Sequence, residues 1–273
     1  MVLSRNVQVP SAKELFVRDF HALAPGGTSR TMLPGKLSDG RTSYAWLADG
    51  APAGASVLDL AAGDGAASAA LLARGARPIA VDMSVAELQC VPVGIARICA
   101  RAQALPFADA SIAHAVCHMA WMLFDDIELA VAELARVLQP RAWFVAMLGG
   151  GPPADGGPEA FGCYIDALAS VLAGQPRVAL GDRRSKSEAG WLQLFTPAMG
   201  FANLSFERGV LVLDGPVDEV WQRLAESYDL APGPSPTRCA VEAEFRQRVA
   251  PLCDGRGWVP MRWVLWRASV QRR

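Results

Sequence analysis

The sequence lacks a strong net charge, closely spaced cysteines and long apolar runs. Its 273 residues include 26 basic and 27 acidic side chains, so a net charge of −1 gives no overall field to attract a phosphate backbone. The six cysteines contain no Cys-x-x-Cys pair, which argues against a zinc knuckle or a redox couple. Apolar runs fall far short of the roughly 20 residues of a membrane span, and the N-terminus has no apolar signal region. We therefore predict a soluble, cytoplasmic protein with reduced thiols and with neither a nucleic-acid nor a membrane partner.

Apolar residues are abundant, at 52% of the chain, and the mean hydropathy is +0.20. Over residues 55–150, short apolar runs alternate with helical patterns, beginning with a strand at Ser56–Leu60, a helix at Gly65–Arg74 and a strand at Pro78–Asp82. The alternation continues with strands at Gly94–Cys99, Ile112–Cys117 and Trp143–Leu148 and a helix at Asp126–Leu138. Apolar strands joined by helices predict an α/β domain with a parallel sheet covered on both faces.

Two regions flank this core. Residues 1–54 form an arm rich in Gly, Pro, Ser and Arg, with helices predicted at Ala12–Leu23 and Tyr44–Ala48 and a loop at Ala24–Ser29. Residues 151–273 are expected to extend the same domain with a helical insertion and closing strands. Their predicted elements are helices at Pro158–Ala173, Ser187–Met199, Val217–Tyr228 and Ala240–Val249, and strands at Leu204–Leu213 and Val259–Ala268.

A turn of small residues follows the first predicted strand. The stretch 57–65 reads Val-Leu-Asp-Leu-Ala-Ala-Gly-Asp-Gly, and its small side chains let a ligand approach the backbone at the start of a helix. Asp82 ends the next strand, where its carboxylate could accept both hydroxyls of an adenosine ribose or cap the helix at Val85. The turn therefore predicts a nucleotide-type ligand.

Two nucleotide-type ligands fit a strand, a glycine turn and a helix. A dinucleotide fold normally shows Gly-x-Gly-x-x-Gly, and the stretch Gly63–Ser68 supplies only two of these glycines. Asp59 and Asp64 beside the turn would repel a pyrophosphate, whereas they would attract a ligand that carries an ammonium and a sulfonium. The charges favour S-adenosylmethionine over NAD, although the glycine turn alone fits either.

Four segments, in the expected order, resemble class I S-adenosylmethionine-dependent methyltransferases, in particular the group that includes the ubiquinone and menaquinone enzymes. These segments are Asp59–Gly65, Val81–Ser84, Ala102–Ser111 and Glu133–Pro140. The resemblance implies a Rossmann-like, doubly wound sheet of seven strands, mostly parallel with an antiparallel last strand. It also implies that the N-terminal arm covers the cofactor and that the region after residue 150 lies on the acceptor side.

The resemblance further implies which residues bind the cofactor. Asp82 would hold the ribose and Met83 would pack on the adenine, while Arg41 in the arm could pair with the methionyl carboxylate. The full set is Arg41, Asp59, Ala61, Gly63, Gly65, Asp82, Met83, Ala102, Gln103 and Cys117.

The sequence departs from the family beside the adenine. Arg101 stands where the family usually has an Asp that accepts the adenine amino hydrogen. That contact must then move to Gln103 or to the backbone of Ala102, or be lost.

Methyl transfer from a sulfonium is an in-line displacement, which needs a general base only when the acceptor must lose a proton. Residues after the fourth strand usually face the methyl group, and His118 is the candidate base there. The alternative is a histidine hydrogen-bonded to the backbone near the methionyl part of the cofactor. The predicted substrate contacts are Tyr44, Trp121 and Met122.

Several other residues are open to two interpretations. His21 could fold over the pocket or lie on the surface. Asp125 or Asp126 is expected to cap the following helix rather than to bind a metal, so no metal is predicted. The late tryptophans could line an apolar acceptor pocket or pack in the core of the last strands. They are Trp191, Trp221, Trp258, Trp263 and Trp266.

These observations predict a methyltransferase that uses S-adenosylmethionine on a small molecule, such as a natural product or an aromatic or heterocyclic compound, and that acts as a monomer or homodimer. Whether oxygen, nitrogen or carbon is methylated stays open. An RNA or protein methyltransferase is the first rival function, and it would be favoured by a basic face formed by Arg177, Arg183, Arg184 and Lys186. The sequence is also compatible with a NAD-dependent oxidoreductase and with a binding protein that has no turnover.

Overall fold

A seven-stranded sheet forms the centre of the computed structural model, which describes residues 9–154, 156–175, 179–230 and 235–273. Its strands are β1 Ser56–Leu60, β2 Arg77–Asp82, β3 Ala96–Cys99, β4 Ile112–His118, β5 Leu138–Gly151, β6 Phe201–Val212 and β7 Arg262–Arg272. The helices are α1 Ala12–Leu23, α2 Gly27–Met32, α3 Ser43–Leu47, α4 Ala66–Ala73, α5 Val85–Cys90, α6 Ile127–Val137, α7 Ala160–Val171, α8 Glu188–Leu194, α9 Val217–Leu224 and α10 Pro236–Val249. Within the described ranges no helix has the length and apolar character needed to cross a membrane.

The order of the strands is β3-β2-β1-β4-β5-β7-β6, and it reverses between β1 and β4. Strands β1 to β5 pair in parallel, whereas β7 is antiparallel to both of its neighbours, β5 and β6. This confirms the predicted Rossmann-like sheet of seven strands with an antiparallel last strand. In open sheets of this kind, ligands bind beyond the carboxyl ends of the strands at such a reversal.

Alternate side chains of the central strands enter two different hydrophobic clusters, one on each face of the sheet. Leu58 and Phe144 face α6 and α8, while their neighbours Val57 and Val145 face the side covered by α3, α4 and α7. Burial on both faces explains why β1 and β4 read as near-continuous apolar runs.

The late tryptophans divide between core and surface. Trp191 and Trp221 are fully buried, whereas Trp258 and Trp266 are partly exposed. Trp263 borders a cavity that is described below. The core interpretation is therefore right for the first two, and the pocket interpretation applies to Trp263.

The described part of the arm folds into three helices, one more than predicted. α1 begins at the predicted residue because Ser11 caps it: the Ser11 hydroxyl accepts the Glu14 N–H at 3.1 Å, and the Glu14 carboxylate accepts the Ser11 N–H at 2.8 Å. The predicted loop at Ala24–Ser29 is wrong in its second half, where α2 begins. Gly26 has a φ of +76°, a conformation that costs glycine little, and it turns the chain directly into α2.

Two strands, β5 and β7, extend furthest beyond their predicted ends. The predicted strand at Trp143–Leu148 covers only the middle of β5. The observed strand also includes Arg141, whose φ is +70°, and it continues through an irregularity in its pairing register with β4. Such an irregularity leaves no regular apolar pattern in the sequence. The predicted last strand ended at Ala268, whereas β7 continues to Arg272 and pairs there with Phe201. Polar side chains at the strand's end conceal it from a hydrophobicity pattern.

Candidate active site

A cavity opens at the carboxyl ends of β1 and β2, beneath the N-terminal arm. Part of its wall is the turn after β1, in which Ala61 and Gly63 both have a φ of +55°. A left-handed conformation costs an L-residue about 1–2 kcal/mol, so the turn carries strain at Ala61, where the family motif has glycine. Six of the predicted cofactor residues line the cavity: Ala61, Gly63, Asp82, Met83, Ala102 and Gln103.

The Asp82 carboxylate is held in place by two backbone N–H groups. Gly63 donates to one of its oxygens at 2.9 Å, and Ser84 donates to the other at 2.8 Å. Burial raises the pKa of Asp82, while these two hydrogen bonds oppose the rise. The sequence left open whether Asp82 binds a ligand or caps the next helix. The cap of α5 is instead the Ser84 hydroxyl, which accepts the Glu87 N–H.

Asp59 is fully buried behind the turn, outside the cavity wall. One carboxylate oxygen accepts the Ser68 hydroxyl at 2.7 Å, and the other has no hydrogen-bond partner among the described residues. Burial raises the pKa of Asp59 to about 7, although the Ser68 hydroxyl opposes this rise.

We expect Asp59→Asn to remove a pH-dependent loss of stability. The carboxyl ionises near pH 3.8 when unfolded and near pH 7 when folded, so unfolding releases a proton between these values. The stability of the wild-type protein therefore falls as the pH rises from about 4 to 7, and the penalty is complete above pH 7. Roughly two pH units of this window lie above pH 5. Each unit changes the free energy of unfolding by about 1.4 kcal/mol, so the loss above pH 5 is ~3 kcal/mol.

Urea unfolding of the unliganded proteins at pH 5 and pH 8 measures this effect. Between the two pH values the wild type should lose ~3 kcal/mol more stability than Asp59→Asn. Burial lowers the pKa of His114 to about 4 and that of His118 to about 3, but both histidines are present in both proteins and cancel from the difference. Equal pH dependence in the two proteins would contradict the prediction.

Acidic side chains of the cavity connect the arm to the core. The Arg101 guanidinium lies 2.7 Å from the buried Glu14 carboxylate on α1, so the residue that departs from the family forms an ion pair with the arm. The Ser29 hydroxyl donates to Asp64, and the Gly26 N–H donates to Glu87 at 2.8 Å.

Carboxylates outnumber basic side chains in the wall of this cavity. Arg18 and Arg101 face four acids, and Arg101 is already paired with one of them. The acids are Glu14, Asp64, Asp82 and Glu87. Such a wall suits a ligand with positive charge and opposes a pyrophosphate, so the residues present fit a sulfonium-bearing nucleoside.

His118 and Tyr44 stack at the wall of the cavity, with their ring centroids 3.9 Å apart. The Nε2 atom of His118 lies 2.9 Å from the Ser43 hydroxyl, and its Nδ1 atom has no partner within the described ranges. Burial lowers the pKa of His118 to about 3, so the imidazole is neutral at pH 7. The predicted alternative of a backbone partner for this histidine is wrong, because its partner is the Ser43 side chain.

Besides Asp59, five of the predicted site residues are absent from the wall of this cavity. Arg41 is on the surface, where Asp39 and Asp49 hold its guanidinium, so the predicted pairing with a methionyl carboxylate needs correction. Cys117 is buried in β4, and burial raises the pKa of its thiol. Gly65 caps α4 behind the turn, with a φ of +84°.

Trp121 is another of these residues, and its full burial contradicts its prediction as a substrate contact. Its ring is fully buried in the core against Phe144 and Phe195, with centroid distances of 4.9 and 5.6 Å. The chain after β4 turns into a short 3-10 helix at Trp121–Leu123, which points this side chain inward and leaves Met122 beside a second cavity.

Two acidic residues before α6 also differ from the prediction. Asp126 occupies the position before the helix but makes no capping hydrogen bond, because it has a left-handed φ of +48°. Asp125 instead accepts the Ser11 hydroxyl at 2.7 Å, and its carbonyl accepts the Gln103 amide at 2.7 Å. Asp125 therefore joins the arm to the part of the cavity wall that contains Gln103.

A second cavity of about 430 Å³ adjoins the first, a size that suits a small molecule. The side chains of His21, Met119 and Tyr228 are among the residues that border both cavities. The wall of the second cavity is mainly aromatic and apolar, and its large side chains include Phe20, Met32, Phe161, Tyr164 and Trp263.

Glu87 and Tyr228 are site residues that the sequence did not single out, whereas His21 was open to two interpretations. His21 does fold over the pocket: its Nδ1 atom lies 3.0 Å from the Glu87 carboxylate, and its Nε2 atom lies 2.7 Å from the Tyr228 hydroxyl. The three residues are 66 and 207 positions apart, so no local motif could have connected them.

Comparisons with known proteins agree with this geometry. Residues 58–146 match the family model described as a methyltransferase domain. A candidate type II methyltransferase from Anaeromyxobacter dehalogenans is 24% identical, with 84% of this chain and 93% of that chain covered at a TM-score of 0.58. The YcgJ protein from Bacillus subtilis is 18% identical, covering 85% and 98% at a TM-score of 0.54.

A third structure extends the likeness to almost the whole chain. It is the complex between the Trm112 methyltransferase activator and a candidate methyltransferase from Haloferax volcanii, at 17% identity, with 97% of this chain and 99% of that chain covered at a TM-score of 0.52. At these identities the structures establish the fold alone, and no curated protein matches the sequence. The family match sets aside the NAD-dependent oxidoreductase. Residues 58–146 thus match a methyltransferase domain, which supports methyl transfer as the reaction and S-adenosylmethionine as the cofactor.

Proposed function

We propose that the enzyme methylates a small molecule bound in the second cavity. The observation that carries this proposal is the wall shared by the two cavities, which includes Met119, Leu123 and Tyr228. An acceptor on one side of such a wall and a methyl donor on the other can be aligned for in-line displacement. The aromatic lining of the second cavity supports an acceptor with an apolar body.

The cofactor supplies a methyl group on a positively charged sulfur. In our proposal Asp82 would receive the ribose hydroxyls, because its carboxylate is fixed at the cavity wall by two backbone donors. Met83 and Ala102 would flank the adenine, and Gln103 would lie at its edge. Arg41 has no part in this assignment because its guanidinium forms ion pairs with Asp39 and Asp49.

We assign His118 an orienting role in place of the predicted general base. A base with a pKa near 3 holds a proton poorly at neutral pH, so this imidazole is ill suited to accept one from an acceptor. The Ser43 hydroxyl and the stacked Tyr44 ring fix it against the cavity wall.

An RNA or protein acceptor would need a docking surface. Of the basic face predicted for this purpose, Arg177 lies outside the described residues. Arg184 is paired with Asp182 and Glu128, and Lys186 donates to the Leu180 carbonyl at 2.8 Å. The two carboxylates neutralise the charge of Arg184, whereas Lys186 keeps its charge and Arg183 is exposed. The basic face is therefore weakened at Arg184, which supports a small-molecule acceptor.

Three finer assignments belong to the same proposal. The four ordered motifs support a place in the group that includes the ubiquinone and menaquinone enzymes. The sequence supports a cytoplasmic location and activity as a monomer or homodimer. Size-exclusion chromatography with light scattering measures the last of these.

Calorimetry followed by mass spectrometry tests the proposed function. Titration with S-adenosylhomocysteine should release or absorb heat that a pyridine dinucleotide does not reproduce. Incubation with S-adenosylmethionine and a small-molecule metabolite extract should then form S-adenosylhomocysteine together with a compound 14 mass units heavier, the mass of a CH₂ group. Binding without turnover would support a binding protein in place of an enzyme, and turnover only with RNA or protein would contradict the small-molecule acceptor.

A further inference from the structure

Three side chains from distant parts of the sequence form a hydrogen-bonded chain between the two cavities. Glu87 on α5 is almost completely buried, with 3% of its surface exposed, and its carboxylate lies 3.0 Å from Nδ1 of His21 on α1. Nε2 of the same ring lies 2.7 Å from the hydroxyl of Tyr228, which follows α9. All three residues line the cofactor cavity, and His21 and Tyr228 also line the second cavity.

The direction of hydrogen donation along these three side chains follows from their chemistry. A carboxylate can only accept, so Nδ1 of His21 carries the hydrogen that it shares with Glu87. In a neutral ring Nε2 then accepts the hydrogen of the Tyr228 hydroxyl. Burial raises the pKa of Tyr228, with the negative charges of Asp82 and Glu87 adding to the effect, so the phenol keeps its hydrogen to donate.

Packing fixes the geometry of the chain. The Tyr228 ring packs on Phe20 with centroids 4.8 Å apart, and the second oxygen of Glu87 accepts the Gly26 N–H at 2.8 Å. A carboxylate that orients a histidine, which in turn receives a hydroxyl hydrogen, is the arrangement by which proteins remove protons from hydroxyl groups.

We propose that Glu87, His21 and Tyr228 form a proton relay that deprotonates a neutral phenolic acceptor in the second cavity while it is methylated. This proposal rests on the proposed function, since it assumes that methyl transfer takes place at the wall between the cavities. Tyr228 is the catalytic residue that touches the acceptor, and His21 and Glu87 act through it.

Methylation of the neutral phenol releases one proton, which the relay takes up. A lone pair of the acceptor oxygen forms the new bond to the methyl carbon, and the bond between carbon and sulfur breaks with its electrons going to sulfur. The acceptor hydrogen passes to the Tyr228 oxygen as the tyrosine hydrogen passes to Nε2 of His21. The resulting imidazolium is paired with Glu87 and loses its proton to solvent after the product leaves.

The second cavity favours an uncharged acceptor. The basic side chains at its edge are already engaged: Arg223 pairs with Glu219, and Arg238 donates to the Ala225 carbonyl at 2.8 Å. Trp263 presents a buried Nε1–H that has no partner in the part of the chain that the structure describes. A phenol with an apolar aromatic body would satisfy this wall without bringing an unpaired charge into it.

The test compares two phenols that differ in acidity. The probes are 4-phenylphenol, which is neutral at the assay pH of 8, and its more acidic 2-nitro derivative, which is ionised there and needs no base. The wild type should methylate both, with a higher KM for the ionised phenol because the cavity favours an uncharged acceptor. The Tyr228→Phe variant should lose about 100-fold in kcat/KM with the neutral phenol and less than threefold with the ionised one.

The Tyr164→Phe variant is the matched control. It removes a hydroxyl from the same cavity, where Tyr164 shares a hydrogen bond of 2.5 Å with the Ser227 hydroxyl. It should change the rates with both phenols by the same factor. An equal loss with both phenols in Tyr228→Phe would overturn the relay, and so would an unchanged rate.

Two further results separate this inference from the proposed function. Binding of S-adenosylhomocysteine with no transfer to either phenol would overturn the phenolic acceptor and leave the cofactor site standing. Absence of binding in the wild type would instead refute the proposed function itself.

Nitrogen NMR tests the direction of the relay without any acceptor. The chain has three histidines, so spectra of protein with ¹⁵N-labelled histidine can be assigned by comparison with His21→Gln. The relay requires the His21 hydrogen on Nδ1, which faces Glu87, and Tyr228→Phe should shift the signal of Nε2. A ring with its hydrogen on Nε2, or a doubly protonated ring, would overturn the relay.

Discussion

Asp82→Ala is expected to weaken the binding of S-adenosylhomocysteine by about 100-fold. In our assignment the carboxylate accepts two hydroxyl hydrogens of the ribose, and hydrogen bonds to a charged group contribute about 1.5–3 kcal/mol each. Loss of ~3 kcal/mol corresponds to roughly 100-fold in affinity. The substitution also removes the acceptor for the Gly63 and Ser84 N–H groups, which loosens the turn that the cofactor must approach. Isothermal titration calorimetry measures the change.

Two variants distinguish this effect from a general loss of structure. Asp82→Asn keeps an oxygen that can accept one backbone N–H, so it should bind more tightly than Asp82→Ala and more weakly than the wild type. Asp109→Ala removes a carboxylate that is 77% exposed and lies outside the cavity wall, and it should bind like the wild type. Wild-type affinity in Asp82→Ala would refute the ribose assignment.

The sequence predicts the core of the fold well because buried parallel strands have a simple signature. β1 was predicted at its observed residues, Ser56–Leu60, since both of its faces are covered and Val57, Leu58 and Leu60 form an apolar run. The arm was harder to predict. The sequence Ala-Pro-Gly-Gly at 24–27 indicates a loop, yet Gly26 uses its freedom at positive φ to begin α2 at once.

The grouping of four predicted cofactor residues in one cavity wall was predictable because they lie in one continuous unit of strand, turn, helix and strand. Local spacing alone brings Ala61, Gly63, Asp82 and Met83 to one edge of the sheet. The relay was not predictable, because its members are held together by the packing of α1, α5 and the segment after α9. Glu87 follows Ser84 at the spacing of a capping box, so the sequence alone suggests that its carboxylate caps α5. Nothing in that local pattern indicates its contact with the distant His21.

The error at Trp121 has a physical cause that leads to a measurable result. Residues after β4 were expected to face the methyl group, but only His118, Met119 and Ala120 line the cofactor cavity before the chain turns inward. Trp121 then fills the core between Phe144 and Trp191, with centroid distances of 4.9 and 5.9 Å.

Trp121→Ala is therefore expected to lower the free energy of unfolding by about 3–5 kcal/mol, because it empties the space of a fully buried ring. Urea unfolding of the unliganded protein measures the loss. Trp121→Phe is the informative control: it keeps an aromatic ring but removes an Nε1–H that finds no acceptor among the described residues, so part of the lost packing is offset. Its cost should stay below ~1.5 kcal/mol. If Trp121→Ala instead unfolded like the wild type and raised the KM for an acceptor, the side chain would contact the substrate, as the sequence predicted.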